Sequence, residues 1–172
     1  KRFIVFELDN ISENRTLLPV VTIIIMETFL AKMRRLQGVR KVLLLEEAWK
    51  AIAKEGMASY VRYLFKTVRK YFGEAIVVTQ EVEDIISSPI VKESIINNAD
   101  CKILLDQRKY RNKFDQIQTL LGLTDKERAQ VLSINLSNDP ARRYKEVFIS
   151  LGGVQSAVYA TEVSDEEYLV RP

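Results

Sequence analysis

The chain has 172 residues, 47% of them hydrophobic and 28% charged, with a net charge of +3. That balance excludes a disordered segment and suits a globular chain able to bury roughly two thirds of its unfolded surface. With no histidine anywhere, imidazole general-base chemistry, His-activated nucleophiles and most zinc or iron sites are excluded, while the mild positive charge permits an anionic partner without requiring one.

In chain order, Phe3–Leu8 reads as a first strand ending in Asp9 and Asn10. The missing initiator methionine and the strand-like opening suggest a piece of a longer protein. Thr16 can cap a long helix through about Gln37, with Pro19 tolerated in its first turn and Gly38 as its stop. The apolar stretch Leu17–Met33 contains Pro19, Glu27 and Lys32, so it suits a buried core helix rather than a membrane span. No signal peptide is visible.

Lys41–Leu45 follows as a strand buried on both faces, and Glu46 and Glu47 stand where it ends. The spacing of Val61, Leu64, Phe65, Val68 and Phe72 predicts an amphipathic helix over Met57–Phe72, ended by a left-handed Gly73. Ala75–Thr79 is a third strand. Short helices are expected around Val82–Ile86 and Pro89–Asn97, and a fourth strand at Cys101–Leu105. Cys101, the sole cysteine, cannot form an internal disulfide and reads as an inert core thiol in a reducing compartment.

Ile117–Leu121 and Asp125–Leu132 read as a helix pair, the second capped by Thr124. Glu146–Leu151 and Gln155–Thr161 flank Gly152-Gly153 as an antiparallel hairpin. Strand–helix alternation implies an α/β fold, its sheet mostly parallel with helices on both faces. No repeat or linker interrupts residues 1–172, which read as one domain.

Open parallel sheets place ligands beyond the carboxyl ends of their strands. Two acids at such an end have the form of a Walker B segment, the first holding Mg²⁺ through water and the second polarising an attacking water. They could equally be acids favoured at the start of the next helix. Thr79 and Gln80 end the neighbouring strand, where an amide can orient water or sense a terminal phosphate, or simply close a turn. Arg62, Lys66 and Arg69, with Lys70 beside them, form a cationic helix face. It is either a solvated surface or a set of cations presented to phosphate, within the subunit or across an interface. Arg108, Arg111, Arg142 and Arg143, with Tyr110 and Tyr144 among them, are compatible with nucleic-acid contact and equally with exposed loops. Trp49 reads as packing beneath the Walker B strand.

Three blocks, Leu-Leu-Leu-Glu-Glu-Ala-Trp-Lys at 43–50, Tyr-Leu-Phe-Lys-Thr-Val-Arg-Lys-Tyr-Phe-Gly at 63–73 and Ala-Ile-Val-Val-Thr-Gln-Glu-Val-Glu-Asp-Ile at 75–85, together resemble the TraG-type conjugation ATPases of type IV secretion systems, as in Bacteroides conjugative transposons. Residues 97–107 extend the likeness. The resemblance implies a RecA-like P-loop NTPase sheet, with Glu46 as the Mg²⁺-side acid and Glu47 as the catalytic base. It also implies Thr79 and Gln80 as a γ-phosphate sensor, and Arg69 and Lys70 as cations acting across the subunit interface. ATP and Mg²⁺ would be the cofactors. A ring, expected to be a hexamer, would sit at the cytoplasmic face of the inner membrane with other secretion-system components, and DNA is a further candidate partner.

Two departures qualify this. Many relatives carry Asp where Glu46 stands, one methylene shorter. No G-x-x-x-x-G-K-[ST] occurs in the chain, so the phosphate loop and its central strand are expected upstream, and the chain reads as the C-terminal portion of the motor domain, inactive alone. Apolar strand edges left by that missing strand could drive self-association. A DNA-pumping translocase of the FtsK/HerA kind shares this motor core. A non-enzymatic interaction domain, with Glu46 and Glu47 only opening a helix, is the remaining alternative.

Overall fold

A computed structural model describes residues 3–46, 55–80, 95–137, 144–162 and 164–169. These fall into two compact units, Lys1–Asn98 and Ala99–Pro172.

The first unit is built on α1 (Leu17–Arg35), β1 (Lys41–Glu46), α2 (Glu55–Thr67) and β2 (Gly73–Val78). Asn14, rather than Thr16, opens α1: its Oδ1 accepts from the backbone N–H of Thr16 at 3.1 Å and of Leu17 at 2.9 Å. Such a side-chain acceptor satisfies donors that a helix start leaves unpaired. β1 and β2 pair in parallel, Lys41 opposite Gly73 through Glu46 opposite Val78.

Leu43, Leu45, Ala75 and Val77 share one face of this pair and join a core with Met26, Leu30 and Met33 of α1 and Val61 and Leu64 of α2. On the other face Val42, Leu44, Ile76 and Val78 remain 41–56% exposed. No helix in the chain is long and apolar enough to cross a membrane, among the described residues.

Phe3–Leu8 forms no strand ladder in the structure. Phe3 and Val5 are 82% and 69% exposed, and apolar patterning alone does not hold a strand whose N–H and C=O groups lack a ladder partner. The expected helix over Met57–Phe72 also ends differently. After Thr67 the chain tightens into a 3₁₀ turn, Val68–Tyr71. At three residues per turn, the position after Val68 on the core side is Tyr71 rather than Phe72. Tyr71 accordingly packs against the core, and Phe72 turns outward, 58% exposed, at φ 57°.

The left-handed residue is therefore Phe72, one position before the expected Gly73. Gly73 serves a different need: a Cβ there would lie 2.8 Å from Val68 Cγ2 and 3.2 Å from the Val68 carbonyl oxygen. Gly73→Ala is expected to cost about 1–3 kcal/mol through this overlap. A urea midpoint within error of the wild type would show that Val68 yields freely.

The second unit contains β3 (Cys101–Leu104), α3 (Phe114–Leu121), α4 (Asp125–Ser133), β4 (Tyr144–Leu151), β5 (Gln155–Glu162) and α5 (Asp165–Leu169). β4 lies between β3 and β5, antiparallel to both. The expected hairpin turns through Gly152 and Gly153, both at positive φ. Cys101 is exposed rather than a core thiol, because it opens β3 on the face that the helices leave uncovered. The helices around Val82–Ile86 and Pro89–Asn97 lie outside the described residues, except for a 3₁₀ turn at Ile96–Asn98.

Thr124 caps α4 in a full capping box. Its Oγ1 accepts from the Glu127 N–H at 3.2 Å, and its own N–H donates to Glu127 Oε2 at 2.8 Å. Glu127 is only 7% exposed, and its Oε1 accepts from the Ser150 hydroxyl at 3.1 Å, tying α4 to β4. The Thr124 backbone N–H, followed by the Thr124 and Ser150 hydroxyls, holds the Glu127 carboxyl below its ordinary range against the opposing effect of burial.

Thr124→Ala is expected to cost about 1 kcal/mol. Because the folded pKa of Glu127 lies below the unfolded one, its stabilisation is full above the unfolded value and fades as pH falls through the folded value. Urea midpoints followed down to about pH 3 should slope less for Glu127→Gln than for the wild type. Parallel slopes would exclude this carboxylate from the acid response.

Candidate functional site

Parallel pairing brings the carboxyl ends of β1 and β2 to one edge. Glu46 is the last residue of β1, exposed and in register with Val78. Half-buried Thr79 and exposed Gln80 leave the same edge directly after β2. Neighbouring strands lie about 4.8 Å apart, so a carboxylate and an amide leaving adjacent strands can face one bound group. Glu47 and Trp49 lie outside the described residues, although Glu47 follows Glu46 directly in sequence.

The cationic face falls elsewhere. Arg62 and Lys66 are exposed on α2, and Arg69 and Lys70 on the 3₁₀ turn that follows. That turn is fastened to the start of β1: the Lys41 ammonium donates to the Tyr71 carbonyl at 2.7 Å, and the Lys41 N–H to that of Phe72 at 3.2 Å. Five residue steps of extended chain separate Lys41 from Glu46, about 17 Å. Within one chain, Arg69 and Lys70 therefore neighbour the opposite end of β1 from the acid.

Arg34, which sequence reasoning did not single out, joins this basic surface. Its Nη2 donates to the Tyr63 hydroxyl at 3.1 Å, and its guanidinium carbon sits 5.6 Å from the ring centroid. The Tyr63 hydrogen bond raises the Arg34 pKa, and Arg34 in turn lowers that of the Tyr63 phenol. Only its place in the last turn of α1, four residues before Gly38, hinted at this role.

In the second unit, Arg108 is occupied by Asp106: Nε to Oδ2 is 2.8 Å and Nη2 to Oδ2 is 2.5 Å. The Arg108 hydrogen bond holds the Asp106 carboxyl below its ordinary range, and Asp106 in turn raises the pKa of Arg108. Arg111 is exposed on the same 3₁₀ segment, Arg108–Lys113. Arg142 and Arg143 lie outside the described residues. No group of three or more His, Cys, Asp or Glu side chains that could hold a metal exists among the described residues. A single carboxylate, such as Glu46 offers at this edge, suits a Mg²⁺ ion that keeps most of its waters and takes its other oxygens from substrate phosphates.

Two parallel strands with a helix between them in sequence form a βαβ unit, and this fold has a counterpart among solved structures. The fold matches the structure of VirB4 of Thermoanaerobacter pseudethanolicus with a TM-score of 0.69 at 22% identity, over 96% of this chain and 43% of that one. In sequence, 92 residues are 33% identical to the type IV secretion system protein CagE of Helicobacter pylori, 54% of this chain and 9% of that protein. Residues 1–171 match the TraG P-loop domain family, and the chain belongs to that family. It spans less than half the length of either relative.

Proposed function

We propose that this chain is part of the motor of a type IV secretion ATPase, coupling ATP hydrolysis to conjugative transfer or pilus assembly. The observation that carries this is the parallel register that brings Glu46 and the Thr79-Gln80 pair to one carboxyl edge. Glu46 would hold Mg²⁺ through water, and the metal, bound with ATP, would neutralise charge developing on the phosphates. Glu47 accepts the proton of the attacking water, and Gln80 orients that water against the terminal phosphate with Thr79 beside it. The phosphate loop comes from elsewhere in the parent polypeptide, so the isolated chain neither binds ATP tightly nor hydrolyses it.

Arg69 and Lys70, with Arg62 and Lys66 along the same face, act on a neighbouring subunit's phosphates in a ring. Their separation from Glu46 by the length of β1 supports action between subunits over action within one. The ring works at the cytoplasmic face of the inner membrane with other secretion components. Gln80→Ala in the full-length protein should lower ATP turnover at least about tenfold, with a smaller change in KM. Turnover equal to the wild type's in both arms, with and without Mg²⁺ chelation, would remove the site.

A further inference from the structure

The surface from α2 into the 3₁₀ turn combines two features, only the second of which the proposed function leaves unused. The first is charge of one sign. Arg62, Lys66, Arg69 and Lys70 are all exposed, and the sequence from Met57 to Gly73 contains no Asp or Glu. Arg34 adds a further cation beside Tyr63. Cations four and three residues apart on a helix follow one line, about 5–6 Å from each to the next.

The second feature is Phe72. It is a large aromatic side chain, 58% exposed, two residues after Lys70. It is held in left-handed backbone, φ 57° and ψ 45°. Left-handed backbone is costly for a bulky side chain and ordinary for glycine. Packing does not explain the choice, because Tyr71 takes the core position. Strain retained by an exposed residue points to a use for its side chain.

We propose that this surface binds a single-stranded polynucleotide, the cations tracking its phosphodiester backbone and the Phe72 ring stacking on a base. Charge complementarity selects a polyanion, and the exposed ring selects one whose bases are unpaired and free to stack. An anionic membrane would match the charge and also accept the ring at its interface, so tighter binding to anionic lipid vesicles than to dT would overturn the proposal. The site lies at the opposite end of β1 from Glu46, so the acid edge takes no part in it. Its cations are those that the proposed function turns toward a neighbouring subunit.

The test is fluorescence anisotropy on the full-length protein, without nucleotide, using dT and rU oligonucleotides of about 16 nucleotides and a duplex of the same length. Phe72→Gly should raise Tm by about 2–4 °C by relieving the left-handed strain, while weakening dT binding at least about fivefold. Phe72→Trp should restore binding. Lys66→Ala with Lys70→Ala should reduce the slope of log affinity against log salt by about 1.4. A preference for dT or rU identifies the strand and supports the proposal. Tighter binding of duplex, or Phe72→Gly binding dT within twofold of the wild type, overturns it. Undiminished ATP turnover alongside such a failure would leave the hydrolytic reading standing.

Discussion

Glu47→Gln in the full-length protein is expected to cut ATP turnover by about 10²–10⁴-fold, the usual contribution of a positioned general base. The amide keeps the volume and hydrogen-bonding reach of the carboxylate but cannot accept the proton of the attacking water. Nucleotide affinity should stay within a few-fold, because the loss falls on the transition state and not on ground-state binding. The measurement is steady-state turnover beside equilibrium binding of a fluorescent ATP analogue. A threefold loss or less would return Glu46 and Glu47 to the role of helix-opening acids. The same reading expects no Mg²⁺-dependent turnover from the isolated chain, and activity there that Glu47→Gln abolished would contradict it from the other side.

The second large effect concerns the scaffold. Leu64 of α2 is fully buried, in a core shared with Met26, Leu30 and Met33 of α1 and Leu45 of β1. Leu64→Ala should destabilise the chain by about 3–4 kcal/mol, the lost transfer energy plus the cavity left among side chains that cannot close over it. With a urea m-value of about 2 kcal/mol/M, the unfolding midpoint falls by roughly 1.5–2 M. Leu44, 56% exposed on the outer face of β1, provides the internal comparison: Leu44→Ala should move the midpoint by a small fraction of that amount. Equal shifts for the two variants would mean that the core does not lie between α1, α2 and the inner sheet face.

The elements that could be read from sequence were those whose signals are local and mutually consistent. Lys41–Leu45 and Ala75–Thr79 are dense in branched apolar residues and bounded by turn or helix signals, so β1 and β2 emerge within a residue or two of expectation. Thr124 and Glu127, three apart before an apolar segment, make a capping box that the structure contains in full. The paired glycines at 152 and 153 set the hairpin.

What escaped depended on the rest of the chain. Phe3–Leu8 has the composition of a strand, but a strand exists only with a neighbour. Phe72 fits a 3.6-residue rhythm from Val61, and a tightening of a single turn moved Tyr71 into its place. Cys101 lies in an apolar run, yet β3 is an outer strand of its sheet, and its pleat turns that side chain away from the helices. The edge carrying Glu46, Thr79 and Gln80 was legible because strand ends can be located from composition. The opposition of that edge to Arg69 and Lys70 was not, since it follows from the hydrogen bonds that Lys41 makes to Tyr71 and Phe72.

Val42, Leu44, Ile76 and Val78 line one open face of the β1–β2 pair, with Glu46 and Glu74 at its two ends. Parallel sheets ordinarily bury both faces. During refolding of the chain by itself, two processes compete for this aliphatic strip: first-order completion of the fold, and second-order association with another unfinished molecule. The first is indifferent to concentration and the second grows with it. Refolding yield should therefore fall as protein concentration rises, and Leu44→Thr with Ile76→Thr should flatten that dependence while leaving the unfolding midpoint nearly unchanged.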